Sequence, residues 1–252
     1  MDVFLLPHQD DEIGVFHAID EGVKAKRPQL IVYVTDGAWQ RTSAATRNAE
    51  SMAVLSRLGV PQDRVWFLGQ ERNVANQALR FHLEEVHAEL RSRISCGPEV
   101  TAIYTPAWEG GHPDHDATAL LAVALARSLG MVDRVRQFPL YSAYQCRWRP
   151  YTVFTPIREA APTIEHRIPV NRRLEHLALC RMYRSQVKAM AGLLPFILAH
   201  YAFKGVQRHQ QLEVSTTTIR PHAGALFFER RGWLSWEQFE RDIAAFRARH
   251  LA

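Results

Sequence analysis

Short apolar runs alternate with amphipathic stretches over the first 135 residues, and this alternation constrains the fold of the chain more than any other feature. Four runs have the length and the β-branched or aromatic content of buried strands: Val3 to Leu6, Leu30 to Val34, Val65 to Leu68 and Val100 to Tyr104. Strands that alternate with helices usually form a parallel sheet with helices on both faces. The sequence therefore predicts an α/β fold with a Rossmann-like, doubly wound, mostly parallel sheet.

Helical periodicity fills the segments between these runs. Apolar residues recur at intervals of three and four in residues 13–26, 44–58, 75–93 and 117–129. Pro28, Gly59 with Pro61, and Gly130 follow three of these segments as stop signals. We therefore expect four helices packed against the sheet.

The pattern loosens after Val135. Residues 136–170 mix aromatics, prolines and strand-like runs, and we expect extra strands and loops that cap the sheet. The later elements predicted are helices over Arg173 to Met190, Gly192 to Phe203 and Trp236 to Arg247, and a last strand over Ala225 to Phe228. No change of composition marks a linker, so residues 1–252 are expected to form one domain, with a core of about 1–190 and a C-terminal extension of about 191–252.

Residues 192–203 contain the most apolar stretch of the chain, Leu193 to Leu198. The segment is too short to span a bilayer, which takes ~20 apolar residues. Packing in the core or against a second subunit of a homo-oligomer is the expected role. A peripheral contact with a membrane surface is the alternative.

Charge and cysteine content narrow the functional classes. The 252 residues carry a net charge of +5, but the 31 lysines and arginines are scattered, so nucleic acid is not an expected partner. Cys96, Cys146 and Cys180 are too far apart for a disulfide framework, which favours a reducing cytoplasm. The N-terminus lacks a signal-peptide pattern and no run could span a membrane.

Two polar clusters follow the first and fourth predicted strands. His8, Asp10 and Asp11 form one, and His112, Asp114 and His115 belong to the other. The carboxyl ends of parallel strands lie at the same edge of a sheet, where open α/β sheets place their ligands. We therefore expect both clusters in one crevice. Acidic residues at helix N-termini, favoured by the helix dipole, are the alternative interpretation of each cluster alone.

The combined clusters suit a catalytic metal. Zinc in such sites takes three protein ligands and a water whose pKa falls to ~7, and His8, Asp11 and His115 can supply the set. Asp10 and His112 are then candidates for proton transfer or oxyanion stabilisation. Asp114 is placed to orient an imidazole, that of His112 being the expected one. Spacing alone leaves these roles interchangeable.

The same residues resemble a known family. His8-Gln9-Asp10-Asp11-Glu12 and Gly111-His112-Pro113-Asp114-His115 are similar to the two signatures of the PIG-L or LmbE-like N-acetylglucosaminyl deacetylases, (A/P)-H-P-D-D-E and H-P-D-H. Further matches are Thr35-Asp36-Gly37, the spacing of Arg47 and Glu50 before Leu58-Gly59-Val60, and Tyr183-Arg184-Ser185-Gln186. The resemblance covers residues 2–190.

That resemblance implies specific roles. The metal ligands would be His8, Asp11 and His115, the general base Asp10, and the oxyanion-stabilising or acid residue His112. Zinc is the implied ion, one per chain, and ferrous iron is the alternative for such a ligand set.

Two departures from the family pattern stand out. Gln9 replaces the usual proline, and we expect a local change in the turn there. Residues 69–73 lack the Asp-Gly that relatives carry near a substrate hydroxyl, so the mode of sugar recognition does not carry over from the family.

Three further observations leave alternatives open. Arg47 and Glu50 are candidate substrate-binding residues, but an ion pair between them on one helix is an equal contender. Asp36 is as well explained by a turn as by a site. Aromatic residues that could stack on a sugar, with core or loop packing as the more frequent role, are Trp39, Trp108, Tyr141, Tyr144 and Trp148.

The leading hypothesis is a zinc-dependent hydrolase that removes an N-acetyl or other N-acyl group from an amino sugar or an N-acetylglucosamine-containing glycoconjugate. An amidase acting on a thiol-sugar conjugate or an antibiotic pseudo-sugar has the same chemistry and another small-molecule substrate. A non-catalytic sugar-binding protein with a vestigial metal site is the alternative of another class. Retention of Asp10 beside the ligands argues against it, because a binding protein has no use for a base there.

Overall fold

A seven-stranded sheet forms the centre of the structure, a computed structural model that describes residues 1–148 and 150–252. The strands in chain order are β1 (Asp2–Leu6), β2 (Gln29–Tyr33), β3 (Val65–Trp66), β4 (Ala102–Pro106), β5 (Val135–Phe138), β6 (Tyr141–Ser142), β7 (Thr152–Val153), β8 (Thr163–Arg167) and β9 (Val206–Gln211). In space the large sheet has the order β3-β2-β1-β4-β5-β9-β8, and β6 pairs with β7. β1 to β5 are parallel, whereas β9 and β8 are antiparallel to their neighbours. The predicted mostly parallel α/β sheet is confirmed.

Helices cover both faces of this sheet. They are α1 (Phe16–Lys24), α2 (Ala44–Leu58), α3 (Leu68–Glu71), α4 (Leu83–Ser95), α5 (Pro113–Ser128), α6 (Val170–Cys180), α7 (Val187–Ala199), α8 (Phe227–Arg230) and α9 (Trp236–Leu251). Val3 and Leu5 of β1 join the apolar layer with α4, α5 and α9, whereas Phe4 and Leu6 join the layer with α1, α2, α6 and α7. Side chains alternate along a strand, so a strand buried on both faces must be apolar throughout.

This burial fixes the position of the first polar cluster. Residues 3–6 of β1 are inaccessible to solvent, and each such side chain contributes about 1.5–3 kcal/mol to the free energy of unfolding. β1 lies between β2 and β4, where the strand order reverses direction along the chain. Open α/β sheets bind ligands at the carboxyl side of this point. The core therefore holds the ends of β1 and β4 side by side.

Several predicted boundaries differ from the structure. The helix expected over residues 75–93 begins at Leu83, after a separate 3₁₀ turn over Leu79–Phe81. The expected strand of residues 65–68 ends at Trp66, and α3 begins at Leu68. The helix expected over residues 173–190 is interrupted after Cys180, and α7 begins at Val187. The positions of these boundaries depend on tertiary packing, which the periodicity of the sequence does not indicate.

The predicted strand at Ala225 to Phe228 is wrong, because this segment leads into α8. The Glu229 carboxylate accepts a hydrogen bond from the Leu226 backbone N–H at 2.7 Å, which caps the helix. Leu226 and Phe228 are fully buried against α9 and its neighbours, so their apolar character reflects core packing.

One strand was not predicted at all. β9, with the sequence Val-Gln-Arg-His-Gln-Gln, is polar but largely buried, and it pairs with β5 and β8. Its Gln210 side chain donates to the carbonyls of Ile157 and Ala161, which satisfies the buried amide. β9 comes from the predicted C-terminal extension, so the extension completes the main sheet.

The apolar segment at residues 192–203 lies in α7 and the π-helical turn His200–Lys204 that follows it. Leu193 and Ile197 point inward, whereas Leu198 is 45% and Phe203 88% exposed. Across residues 1–148 and 150–252, no helix has the length and apolar character needed to cross a membrane.

Candidate active site

The two polar clusters meet at the carboxyl edge of β1 and β4. His8 follows β1 after one intervening residue, and His112 is the N-cap of α5, with Pro113 in the first turn. Proline is favoured at that position, because an N–H in the first turn would have no partner within the helix and its absence costs nothing. His115 and Asp11 are both buried, and the two rings of His8 and His115 lie 5.5 Å apart between centroids. The expectation that the clusters share one crevice is therefore confirmed.

Asp11 lies between the two expected imidazole ligands. Its Oδ2 is 3.2 Å from Nδ1 of His8, and its Oδ1 is 3.3 Å from Nε2 of His115. Ligand atoms that bind one tetrahedral zinc at ~2.0–2.1 Å lie roughly 3.3 Å from each other. Asp11 thus lies within ligand-to-ligand distance of both imidazoles, through a different oxygen in each case.

His115 provides a second test of that fit. Among the described residues, Nδ1 of His115 has no hydrogen-bond partner, and Nε2 contacts Oδ1 of Asp11 at 3.3 Å without the geometry of a hydrogen bond, although the side chain is only 1% exposed. A buried imidazole without a hydrogen bond is costly. A divalent cation beside Nε2 would resolve the cost, so the residues present fit a metal ion.

The second nitrogen of His8 contacts Asp114. Nε2 of His8 is 3.1 Å from Oδ2 of Asp114, which leaves Nδ1 for the side of Asp11. Histidine ligands of metals commonly have a carboxylate on the opposite nitrogen. The sequence expectation assigned Asp114 to His112, but Nδ1 of His112 lies farther away, at 3.9 Å. Asp114 also accepts from the backbone N–H of Gln77 and Leu79, which ties the loop before α4 to the site.

The ring of His112 has a defined tautomer. The backbone N–H of Asp114 donates to Nδ1 of His112 at 3.1 Å. An amide N–H can only donate, so Nδ1 is unprotonated and the proton of the neutral ring is on Nε2. Burial lowers the pKa of His112 well below its usual value, and the nearby His8 lowers it further. His112 therefore offers the site a neutral N–H donor.

The three histidines also form a compact group. Ligand atoms of His8, His112 and His115 lie within 4.8 Å of one another. A three-histidine ligand set is thus the geometric alternative to one with Asp11. Asp11 contacts both His8 and His115, whereas Nδ1 of His112 is engaged by α5, and this favours the set with Asp11.

Asp10 lies at the wall of a cavity beside these residues, with 19% of its side chain exposed. Nη2 of Arg47 donates to Oδ1 of Asp10 at 2.8 Å. Burial raises the pKa of Asp10 to about 7, against the lowering effect of Arg47. Its backbone has a φ of 127°, outside the regions that L-residues usually adopt. Such strain is often found at functional sites.

A buried carboxylate holds Asp10 in this conformation. Oε2 of Glu12 accepts from the backbone N–H of Asp10 at 2.7 Å, and Oε1 accepts from the Tyr33 hydroxyl. Glu12 is fully buried, and burial raises its pKa. Sequence analysis assigned no separate role to Glu12. The structure shows that this residue supports the turn and not the crevice.

The charged groups of the cluster shift one another's pKa values. Burial lowers the pKa of His8, but hydrogen bonds with Asp11 and Asp114 outweigh it and raise the pKa to about 9. Burial acts to raise the pKa of Asp11, yet the adjacent His115 and His8 hold it well below its usual value. Without a metal the cluster is therefore held together by imidazole–carboxylate pairs.

Arg47 and Glu50 have separate partners, and the ion pair between them is not formed. Arg47 donates to Asp10 and to the carbonyl oxygens of Gln9 and Gly37, and it lines the cavity. Glu50 accepts from the backbone and the hydroxyl of Ser185, at 2.8 and 2.7 Å. Glu50 thus fixes the segment before α7 and does not line the cavity.

The turn after β2 accommodates Gln9. The Gln9 amide donates to Asn48 at 2.5 Å, and its oxygen lies 1.9 Å from where a Cβ on Gly37 would be. Gly37 has a φ of +63°, in the left-handed region that favours glycine, and this backbone conformation is the reason for glycine there. Asp36 accepts from the backbone N–H of Ala38 and Asn76, as expected for a turn residue.

A cavity of about 390 Å³ opens beside the cluster. His8, Asp10, Asp11 and His112 contribute to its wall. Of the aromatic candidates, Trp39 and Tyr141 line it; Trp108 and Tyr144 are buried elsewhere, and Trp148 is 93% exposed. Sequence analysis missed most of the other wall residues, because they lie in segments far apart in the chain.

A second group of possible ligands lies on α1. His17, Asp20 and Glu21 have ligand atoms within 4.8 Å of one another. Asp20, however, accepts two hydrogen bonds from Arg172, at 2.9 and 2.6 Å, and contacts Lys24. Two cations already neutralise this carboxylate, so the group is an ion-pair network.

Comparisons with known proteins identify a matching family. The model of the family described as PIG-L, GlcNAc-PI de-N-acetylase, matches residues 3–126, which confirms the resemblance found in the sequence. No curated protein matches the chain.

Solved structures share the fold. A deacetylase–teicoplanin complex from teicoplanin biosynthesis has a TM-score of 0.63 at 14% identity and covers 84% of this chain and 97% of that one. A zinc-inhibited form of teicoplanin deacetylase has a TM-score of 0.60 at 16% identity, covering 83% and 96%. The N,N'-diacetylchitobiose deacetylase of Pyrococcus horikoshii has a TM-score of 0.55 at 19% identity, covering 84% and 82%.

Proposed function

From the match of residues 3–126 to the PIG-L family model, we propose that the protein is a metal-dependent hydrolase that removes an N-acyl group from an amino sugar or a glycoconjugate containing one. One observation carries the proposal. Asp11 lies 3.2 Å from the imidazole of His8 and 3.3 Å from that of His115, with Asp10 and the N–H of His112 beside them at one cavity.

The reaction is the hydrolysis of an amide. A water oxygen bonds to the acyl carbon and the bond from that carbon to nitrogen breaks, which yields a carboxylic acid and an amine; at neutral pH the acid releases its proton and the amine is protonated. Zinc or ferrous iron held by His8, Asp11 and His115 would supply Lewis acidity toward the acyl oxygen and toward water.

Asp10 is the general base in this proposal. Its carboxylate lines the cavity, and Arg47 holds Oδ1, so Oδ2 is the oxygen that receives the proton of the attacking water. The same proton then passes to the departing amine nitrogen. A single carboxylate thereby serves as base and then as acid.

His112 stabilises the oxyanion of the tetrahedral intermediate. The hydrogen bond from Asp114 N–H to Nδ1 keeps the donor proton on Nε2. A donor fixed before the reaction requires no reorganisation when negative charge develops on the acyl oxygen.

Names of similar proteins support an amino sugar as the amine half of the substrate. The family description names a de-N-acetylase of a GlcNAc conjugate, and the Pyrococcus neighbour is named for N,N'-diacetylchitobiose. One structural neighbour is described as the zinc-inhibited form of teicoplanin deacetylase. Zinc and ferrous iron are therefore both to be tested.

The test combines metal analysis with an assay for free amine. The purified protein should hold about one divalent metal per chain and release glucosamine from N-acetylglucosamine or its conjugates. His115→Ala should lose both metal and activity while circular dichroism stays unchanged, because the core fixes β4 and α5. His82→Ala, at a partly exposed histidine away from the cluster, is the matched control. Full metal occupancy in His115→Ala would remove this residue from the ligand set. If the wild-type protein bound metal but hydrolysed no amino-sugar or thiol-sugar amide, the hypothesis of a sugar-binding protein would remain.

A further inference from the structure

The cavity beside the metal-binding cluster has two chemically different sides. Its volume is about 390 Å³. At the roughly 30 Å³ that a water-sized group occupies in a liquid, the three heavy atoms of an acetyl group would fill about a quarter of it. The residues that line the rest of the cavity therefore indicate which other groups of the substrate the site binds.

One side is polar and comes from the N-terminal half of the chain. Gln40, Arg47, Asn76 and Gln77 line it, together with Asp10. Trp39 is the aromatic residue among them. Amide and guanidinium groups around a cavity suit a hydroxylated molecule, because each can exchange hydrogen bonds with hydroxyl groups.

The other side is apolar and comes from segments beyond residue 139. Residues that form it include Tyr141, Tyr151, Val153, Leu193, Phe227 and Trp233. Gln186 and Arg231 are the polar residues of these segments at the cavity. An apolar wall of this extent in contact with water would be unfavourable, so it suits an apolar ligand group.

The apolar wall begins at the imidazoles of His112 and His115. The ring of Tyr141 lies 5.3 Å from that of His115, and the ring of Trp233 lies 5.2 Å from that of His112. From Tyr141 the wall continues to Phe227 and on to Tyr151, with successive centroid distances of 5.4 Å. The methyl carbon of an acetyl group extends only one bond, about 1.5 Å, beyond the acyl carbon. Most of this wall is therefore out of its reach.

α7 closes the far end of the wall. The Tyr151 hydroxyl donates to the carbonyl of Gly192 at 2.6 Å, and its ring lies 5.3 Å from that of Phe196. Leu193 and Ile197 of the same helix face the cavity. The apolar segment predicted to pack in the core or at an interface thus has one face in the candidate active site.

We propose that this apolar side is a subsite for the acyl chain of the substrate, so that the enzyme cleaves amides of medium-chain fatty acids in preference to acetamides. This inference rests on the proposed function. The acyl carbon must lie at the cluster of His8, Asp11 and His115, where the aromatic wall starts and the polar side ends. The acyl chain then runs along Tyr141, Phe227 and Tyr151 toward α7, and the hydroxylated amine half occupies the side of Gln40, Arg47 and Asn76.

Three substrates test the assignment on the metal-loaded enzyme: N-octanoylglucosamine, N-acetylglucosamine and octyl N-acetyl-β-glucosaminide. Each buried methylene contributes about 0.8 kcal/mol, about fourfold in binding. We expect kcat/KM for the octanoyl amide to exceed that for N-acetylglucosamine by about 10-fold or more, since the chain is partly open to solvent. The octyl glycoside should show no such gain.

A matched pair of variants on α7 locates the subsite. Leu193→Trp fills the cavity side of the helix, whereas Leu198→Trp makes the same change at a position that is 45% exposed. Leu193→Trp should lower kcat/KM for the octanoyl amide about 10-fold and leave that for N-acetylglucosamine within about twofold. Leu198→Trp should change neither. Val153→Phe, on β7, is the second cavity variant if Leu193→Trp does not fold.

The outcomes separate this inference from the function on which it rests. Hydrolysis of N-acetylglucosamine without a gain for the octanoyl amide would overturn the acyl subsite and leave the hydrolase intact. A gain for the octyl glycoside alone would assign the wall to a substituent on the amine half and overturn the proposal. Failure on all three substrates with metal bound would overturn the proposed function itself.

Discussion

The carboxylate of Asp114 lies 3.1 Å from Nε2 of His8, while the other ring nitrogen, Nδ1, faces Asp11 at 3.2 Å. One imidazole thus bridges a carboxylate from α5 and a carboxylate from the turn after β1. The arrangement fixes the orientation of His8, and the carboxylate at Nε2 raises the basicity of Nδ1, the nitrogen that faces the candidate metal site.

Asp114→Asn should therefore weaken metal binding. An amide is a poorer partner for His8, and loss of such an outer carboxylate typically lowers metal affinity ~10- to 100-fold. Competition with a chromophoric chelator measures the effect. Asp63→Asn, at a carboxylate that is 76% exposed, is the control. An unchanged affinity, combined with a loss of turnover, would return Asp114 to the role of positioning His112.

Asp10→Asn should separate metal binding from catalysis. The substitution removes basicity with little change in volume, so metal content should stay near wild type. Turnover should fall by ~10² to 10⁴, the range for general acid–base residues. Asp36→Asn, at a turn aspartate that accepts only backbone hydrogen bonds, controls for the loss of a nearby negative charge. Near-normal turnover of metal-loaded Asp10→Asn would show that the residue serves only the turn.

His176 should make the protein sensitive to acid. It is fully buried, and burial, followed by the nearby Arg172, lowers its pKa to about 4 from about 6.5. Below pH 6.5 the unfolded chain binds a proton that the folded state does not bind until about pH 4. The free energy of unfolding should therefore decrease as pH falls through this window, by about 3 kcal/mol from this residue.

Chemical denaturation of His176→Leu between pH 4 and 7 tests that contribution. The variant should lose less of its unfolding free energy than wild type over this range. His209, whose pKa burial also lowers to about 4, keeps some acid sensitivity in the variant. His82→Leu, at a partly exposed ring, should retain the wild-type slope. Parallel pH profiles for wild type and His176→Leu would contradict the assignment.

The N-terminal half of the fold could be predicted because local and tertiary preferences agree there. β1 and β2 are apolar in sequence and are buried on both faces. β1 and the parallel strand β4 deliver their polar turns to the same sheet edge, so the meeting of His8 with His115 follows from topology. Only boundaries that depend on packing, such as the start of α4, were misplaced.

The C-terminal part could not be predicted in the same way. β9 is polar yet buried, since its glutamines find partners only in the folded chain, and the apolar residues of α8 pack against α9 without joining a sheet. The partner of Asp114 likewise depends on a rotation of α5 relative to β1, which spacing in the sequence does not report. The apolar cavity wall draws on three separate segments, so no single stretch of sequence indicates it.

His112 provides the sharpest remaining distinction, because its ring lies 4.6 Å from that of His8 and belongs to the three-histidine group. If His112 is a metal ligand, the protein needs it to bind the metal. If it is an oxyanion donor, metal binding does not depend on it. Its Nδ1 is occupied by the N–H of Asp114, which places the donor proton on Nε2 and favours the second role.

His112→Ala should therefore retain metal and lose ~10² to 10³ in turnover, the usual scale for one oxyanion donor. KM should change little, since the interaction forms mainly in the transition state. His112→Gln should recover part of the loss, because its amide group can still donate a hydrogen bond. Steady-state kinetics with metal content measured on the same samples decides between the roles. A metal-free His112→Ala protein would show that His112 is a metal ligand. The assignment of Asp11 to the ligand set would then have to be revised.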